Sequence, residues 1–276
     1  MIMEMNDTLE NNCNTIENLK AYLRQKGKNH NSYKAYSTLD RVVEIRDKKF
    51  LYLSNGETWN DLTDRNNFNS AANSVVNYGK CFSFSQDENV AMWMLYGGID
   101  KLSGMIDFTK KGMRSILDAD SINIGCFDNN GKFNTEVVLK KDNFDIYVTD
   151  IVYYKSNGNG YYINRSDESY KCLSKEIFES LRYCKKSYPW KYENECRLIV
   201  SVDKKLITNN CKIVQINLDG MDLGKSLERV YRGPNYPLKN IKNSLPSKLD
   251  NTIDWSLCDG KRCINIKKEN ATNVTL

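Results

Sequence analysis

The period of the apolar positions changes several times along the chain. In residues 9–26, LENNCNTIENLKAYLRQK, Leu9, Ile16, Leu19, Tyr22 and Leu23 recur at helical spacing and Gly27 follows, which predicts an amphipathic N-terminal helix. SYKAYST (32–38) reads as a short strand, and LDRVVEIRDKK (39–49) as a helix leading into the strand FLYLS (50–54). NGETWNDLTD (55–64) is polar and reads as a loop held by its own side-chain hydrogen bonds. KCFSFS (80–85) alternates like a strand and runs straight into the apolar helix DENVAMWMLY (87–96). Ser85 stands three residues before Glu88, the spacing of a capping box, and Gly97-Gly98 stop the helix.

Further on, LSGMIDF (102–108) predicts a strand, and residues 109–145 are mixed with a turn at DNNGK (128–132). FDIYVTDIVYY (144–154) predicts a strand pair or one bent strand, and KSNGNGYY (155–162) a hairpin turn. Residues 167–185 predict a helix with Leu173, Ile177, Leu181 and Cys184 on one side. WKYENECRLIV (190–200) reads as a strand. Its alternation puts Asn194, Cys196, Leu198 and Val200 on one face and Glu193, Glu195 and Arg197 on the other. Strands follow at KIVQINL (212–218) and LERVYRG (227–233), then a short helix after Pro237 and a polar tail from residue 265. No repeat, linker or shift of composition divides the chain. The pattern predicts a single α+β domain over 31–264 with mixed or antiparallel sheets and flanking helices. An N-terminal extension (1–30) precedes it and the tail (265–276) follows.

Composition narrows the chemistry. The 276 residues are 40% hydrophobic and 27% charged, enough apolar material for a sizeable core. No run is long and apolar enough to cross a bilayer, and the start lacks an apolar signal core, so the expectation is a cytoplasmic protein away from membranes. The net charge of +5 is spread too thinly for a dedicated nucleic-acid stripe, although lysines gather near 140, 185 and 240. Nine cysteines at irregular spacing and one histidine support neither a zinc centre nor a disulfide framework, and the thiols read as reduced and structural. His30 lies in the polar stretch GKNHNS and is expected to face solvent. Catalysis by a Cys-His or Ser-His-Asp set is thereby close to excluded.

Carboxylates remain as candidate chemistry. Glu193 and Glu195 side by side would repel and raise at least one pKa, while Arg197 pulls the other way. The bland alternative is an exposed Glu–Arg pair worth at most about a kcal/mol. Ser85 has ordinary work as a helix cap, and the helix N-terminus it creates suits a phosphate. Ser83 has no such duty. Trp93 and Tyr96, three apart on the apolar helix, are core residues or a stacking platform.

In chain order, four blocks resemble the pattern of a bacterial family, domain of unknown function 2971. They are Tyr33, Lys34 and Tyr36; Trp59, Asn60 and Asp61; Phe82, Ser83, Met92, Trp93 and Tyr96; and Lys186, Trp190, Tyr192, Glu193, Glu195 and Arg197. The resemblance spans about residues 33–235, and its last block is the most specific. Ser103 stands where that family commonly has histidine, and Leu62 where proline often follows Asn-Asp.

A strand with Ser-x-Ser followed later by Glu-x-Glu is also similar to the signature of Arg-Ser-Glu ADP-ribosyltransferases. That resemblance implies an ADP-ribosyltransferase-like split sheet and NAD as substrate. It makes Glu195 the catalytic acid and Glu193 the group that orients or deprotonates the acceptor. Ser83 and Ser85 would line the nicotinamide site, with Tyr36 or Lys34 on the early strand, Trp93 and Tyr96 as a platform and Arg197 toward the pyrophosphate. A carboxylate beside a ribose that turns oxocarbenium-like stabilises the charge that develops there. The implied protein is a bacterial toxin or anti-phage defence effector that modifies a protein or a nucleic acid under an antitoxin or other regulatory partner. The alternative reading is a non-catalytic nucleotide- or nucleic-acid-binding module in defence or stress. A nuclease would need a third acid beside the pair, Asp61 or Asp107.

Overall fold

Thr15 accepts a hydrogen bond from Asn18 N at 3.1 Å and so caps helix α1, Ile16–Gly27, which buries Leu19, Tyr22 and Leu23. Leu9, expected within this helix, lies outside the described residues. The computed structural model describes residues 14–57, 59, 61–62, 64–65, 74–97, 103–128, 130, 132–157, 160–164, 170–207, 211–233 and 254–255. The expected helix after Pro237 and the polar tail therefore fall outside it. The fold is mixed α+β with mostly antiparallel pairing, and its contacts divide the chain into two compact units. The first comprises residues 1–30, 52–81 and 117–217; the second comprises 31–51, 82–116 and 218–276.

The first unit holds most of the strands. β5 (Ser121–Phe127) and β6 (Phe133–Lys140) form a hairpin inside the stretch left mixed by the sequence. Asp128 accepts from Asn130 N at 2.8 Å and from Lys132 N at 2.9 Å in its turn. β13 (Ile213–Asn217) pairs antiparallel with β5. β7 (Phe144–Asp150) pairs antiparallel with β12 (Glu195–Asp203), and β12 also pairs with β3 (Val75–Ser83). A smaller sheet runs β10 (Tyr170–Leu173), β9 (Tyr161–Asn164), β8 (Val152–Ser156), β11 (Lys185–Ser187), the last pair parallel. Ile151 separates β7 from β8, so FDIYVTDIVYY is two strands in two sheets. α1 packs Leu19, Tyr22 and Leu23 on Val152, Ile163, Leu173, Phe178, Leu181 and Cys184.

The helix expected over 167–185 is corrected. Leu173 ends strand β10, and Ser174 caps a helix of only six residues, Lys175–Ser180, by accepting from Ile177 N at 3.2 Å. Arg182 then takes a positive φ of 33°. The helical spacing of the apolar residues was real, but Leu173, Leu181 and Cys184 reach that core from a strand and a turn.

In the second unit β1 (Ser32–Thr38) pairs antiparallel with β4 (Ser103–Thr109), β14 (Val230–Arg232) with β4, and β15 (Asp254–Trp255) parallel with β14. Lys34 is the cross-strand partner of Ser83 at the end of β3. Tyr36, Met92, Trp93 and Met105 form a core cluster. The capping box at Ser85 is also corrected. The helix is Val90–Gly97, and Asn89 accepts from Ala91 N at 2.9 Å. Glu88 instead takes the Trp93 indole N–H at 3.0 Å. Among the described residues no helix is long and apolar enough to cross a membrane.

Helix α2 (Leu39–Lys48) lies against β4 at Gly104, where an added Cβ would stand 2.7 Å from Leu39 Cα. Backbone on both sides leaves little room to yield. Gly104→Ala is expected to lower unfolding stability by about 1–3 kcal/mol, read by chemical denaturation.

Candidate functional site

The strand expected over 190–200 begins only at Glu195. Pro189 is the second residue of a 3-10 turn, Tyr188–Glu193, and its fixed φ with no N–H to donate suits that opening turn, where the N–H groups lack partners in any case. Asn194 follows at φ 43°, ψ 59°, the left-handed region that asparagine tolerates better than most residues. Glu193 and Glu195 therefore do not share a strand face. They meet because the kink turns the chain back on itself, and both reach Lys186 on β11. Lys186 Nζ lies 2.6 Å from Glu193 Oε2, 3.1 Å from Glu195 Oε2 and 3.9 Å from Asp64 Oδ2.

Arg197, one turn of the pleat further along β12, is fully buried. It donates from Nε to Glu195 Oε1 at 2.5 Å, from Nη1 and Nη2 to the two oxygens of Asp64 at 3.1 and 2.8 Å, and from Nη1 to the Tyr183 carbonyl at 2.9 Å. The exposed Glu–Arg pair of the bland reading is thus replaced by a cluster no member of which is more than 6% exposed. Among the described residues three carboxyl groups face two cations in this cluster.

Burial alone would raise the Glu195 carboxyl, but Arg197 and Lys186 outweigh it and hold that carboxyl far below the usual range. Burial dominates at Asp64, which is pushed up despite its bidentate guanidinium, with the nearby Glu195 charge adding to the rise. Burial disfavours the Lys186 ammonium too, yet Glu195 and Glu193 reverse the balance and raise its pKa. The Cys81 thiol on β3 hydrogen-bonds Glu195, and burial together with that carboxylate keeps it protonated. The Tyr153 hydroxyl accepts from Glu195 N at 2.8 Å, and burial raises it as well.

Two indoles cover the cations. Arg197 lies 4.7 Å from the centroid of Trp59, whose N–H donates to Ser54 at 2.7 Å, and Lys186 Nζ lies 4.7 Å from Trp190. Trp190 and Tyr192 sit 6.2 Å apart with planes tilted by 35°, and Tyr192 is 37% exposed. Beside them Tyr188 is approached by Lys155 at 4.3 Å and by Lys191 at 5.4 Å. Asp64 and Tyr153 were missed as members of the site. The stretch 55–64 is not loop throughout: Leu62, Asp64 and Arg65 are helical, with Arg65 N donating to Asp61 O at 3.1 Å, and nothing in the local pattern sets Asp64 apart from Asp61.

The remaining candidates lie in the second unit, where they converge on one another. Lys34 donates to the carbonyls of Ser85 and, at 3.0 Å, Gln86. Burial lowers its pKa. Tyr36 accepts from Asn89 N at 3.4 Å and packs edge-on to Trp93 with centroids 5.0 Å apart; Tyr96 flanks them. Ser83 Oγ, fully buried, donates to Ser85 Oγ at 3.4 Å. These side chains fasten the 84–89 turn to β1. Asp107, one candidate for a nuclease acid, is held in this unit by Arg229 and by Ser32 at 2.6 Å. The third acid beside Glu193 and Glu195 is Asp64, and the centre a metal ion would take among the three is filled by the Lys186 ammonium.

Comparison of the chain with protein-family models, with curated proteins and with solved structures finds no match. The resemblances drawn above rest on the order of their motifs.

Arg197→Met removes the charge at similar length and leaves Asp64 and Glu195 uncompensated; a loss of about 3–5 kcal/mol in urea denaturation is expected. Glu195 sets the acid limb. Its folded pKa is depressed, so the stability it contributes is present above the unfolded value of about 4.3 and is lost as pH falls toward the folded one. Asp64, raised by burial, runs oppositely: its contribution is present below the unfolded value and lost as pH rises through the folded one. Unfolding curves followed downward from about pH 7 are expected to be flatter below about pH 4.3 in Glu195→Gln than in the parent.

Proposed function

We propose that the chain is a nucleotide-binding module whose ligand stacks on the Trp190–Tyr192 aromatic surface, with its phosphates drawn to Lys155 and Lys191. The observation that carries this reading is the interleaving of partly exposed rings and ammonium groups over 188–192, set above a rigid charged foundation. Aromatic faces accept any base by stacking, and lysines supply the attraction for phosphate. Glu193 and Glu195 act here as foundation: Glu195 holds Arg197 on one oxygen and Lys186 on the other. Such carboxylates position the turn that carries the rings and do not themselves meet a substrate. The biological setting consistent with this is the bacterial defence or stress role implied by the resemblance.

A second reading, NAD-dependent ADP-ribosyl transfer to a protein or nucleic acid, is favoured by one observation. The glutamate strand β12 pairs with β3, which bears Cys81 in hydrogen-bond contact with Glu195. On that reading Lys186 or Arg197 must release an oxygen of Glu195 so that it can hold the ribose hydroxyl.

Calorimetric titration with ADP, NAD and a short single-stranded oligonucleotide separates the two. Binding is expected, weakened by added salt, with Trp190→Ala costing about 1–3 kcal/mol, roughly 5- to 150-fold in affinity. NAD bound and left intact supports the module. NAD consumed by the parent chain and not by Glu195→Gln supports the transferase, and absence of binding by any of the three overturns both.

A further inference from the structure

The only histidine of the chain does not face solvent. His30 Nε2 lies 2.6 Å from Asp150 Oδ1, and both side chains are under 20% exposed. Three structural details bring it there. The helix end is closed by Lys28 N–H to Arg24 O at 3.1 Å and Asn29 N to Lys26 O at 3.0 Å. Asn29 Nδ2 adds a bond to Gln25 O at 2.9 Å. Gly27 then allows a close approach of α1 to β7, since an added Cβ would stand 2.8 Å from Val148 O and 2.9 Å from Thr149 Cα. On the other side, Cys196 is the direct antiparallel partner of Asp150, so strand pairing puts the thiol and the carboxylate on one face. Donor atoms of His30, Asp150 and Cys196 all lie within 4.8 Å of one another.

We propose that His30, Asp150 and Cys196 form a binding site for one zinc ion. One imidazole nitrogen, one thiolate and one carboxylate are a donor set that zinc accepts. Magnesium and calcium prefer oxygen alone, and copper(I) prefers sulfur. Zinc–ligand bonds of about 2.0–2.3 Å place tetrahedral ligand atoms about 3.3–3.6 Å apart. His30 and Asp150, 2.6 Å apart, need to part by under about 1 Å to admit the ion, and Cys196 to draw in by at most about 1.2 Å. Binding releases the Cys196 thiol proton to solvent, and the proton shared by His30 Nε2 and Asp150 Oδ1 leaves their contact for the other imidazole nitrogen or for solvent. The thiolate and the carboxylate then neutralise the dication in a largely buried place. A water completes the fourth position from the side where His30 and Asp150 retain exposure. Cys196 itself is fully buried, which leaves no path for it to attack a substrate but does not hinder an ion entering past the imidazole. Spacing rules could not find this site, because the ligands come from a helix end and two strands and include no close cysteine pair.

Cobalt(II) in place of zinc gives the test on the full chain. The parent is expected to take up one equivalent, showing the thiolate-to-cobalt charge-transfer band and the intense visible bands of a tetrahedral centre. Zinc is expected to displace the cobalt and to raise the melting temperature. His30→Ala and Asp150→Asn, at positions that retain some exposure, are expected to weaken zinc by more than the roughly 10- to 100-fold that loss of an outer-shell partner costs. Cys196→Ser is expected to abolish the charge-transfer band, and Cys172→Ser, at an exposed thiol, to leave it unchanged. If Cys196→Ser does not fold, His30→Ala and Asp150→Asn decide the matter by affinity alone. No cobalt band in the parent, a band that survives both of those variants, or a band lost only in Cys172→Ser overturns the site.

Discussion

Arg197 sits in the interior of a central strand with no solvent to share its charge, and the first unit is organised around that fact. A lone guanidinium there would cost far more than a small core can return, so its donors must be met. Asp64 meets it from the helical turn at 62–65, Glu195 from the same strand, and the Tyr183 carbonyl from the turn after the short helix. The Asp64 segment, 133 residues away in the chain, and the turn at Tyr183 are thereby held to one point on β12. Lys186 extends the network to Glu193 and fixes the far side of the Asn194 kink. Removing a cation leaves buried carboxylate charge undercompensated, whereas each cation meets at least two carboxylates and keeps one when the other is removed. The value of the network lies less in net stability, which buried ion pairs seldom supply, than in allowing one register for the Asp64 segment, the turn and the strand.

The aromatic surface follows from the same constraint. Trp59 and Trp190 lie over the two cations, so their rings are positioned from below by charge and are only partly withdrawn from solvent. The turn Tyr188–Glu193 then presents Trp190 and Tyr192 on a foundation that cannot shift without breaking the ion network. On the proposed nucleotide-binding reading, rings held this rigidly lose little conformational freedom when a base stacks on them. In the second unit the 84–89 turn is closed by separate hydrogen bonds in place of a buried ion network. Lys34 faces two carbonyls, Tyr36 meets a backbone N–H, and Trp93 donates to Glu88. There the polar groups close a turn around a core of aromatic and methionine side chains.

Much of the fold was legible because its short-range signals are strong. Strands at 32–38, 50–54, 103–109 and 213–217 and the helices at 16–27 and 39–48 fall where the period of the apolar residues places them. Failures came where a single residue overrode a period. Asn194 entered the left-handed region and ended the apparent strand alternation at Glu195. Ser174 started a helix that periodicity would have begun earlier, and Asn89 displaced Ser85 as the residue at the helix start. Each of these is a competition between local hydrogen bonds worth about a kcal/mol, which sequence spacing does not rank.

The sequence alone determined that the chain is α+β and where most of its strands and its first two helices lie. Those conclusions depend on residue type and near-neighbour period, which local sterics and burial enforce. Tertiary structure alone decided that Glu193 and Glu195 face inward to two cations, that Asp64 completes the cluster, and that His30 meets Asp150 and Cys196. The Asp64 and His30 pairings join residues 133 and 120 positions apart, and the nearer ones depend on the kink at Asn194. Their energies come from charge separation and dielectric, which depend on distance in space and leave no trace in the spacing of the sequence.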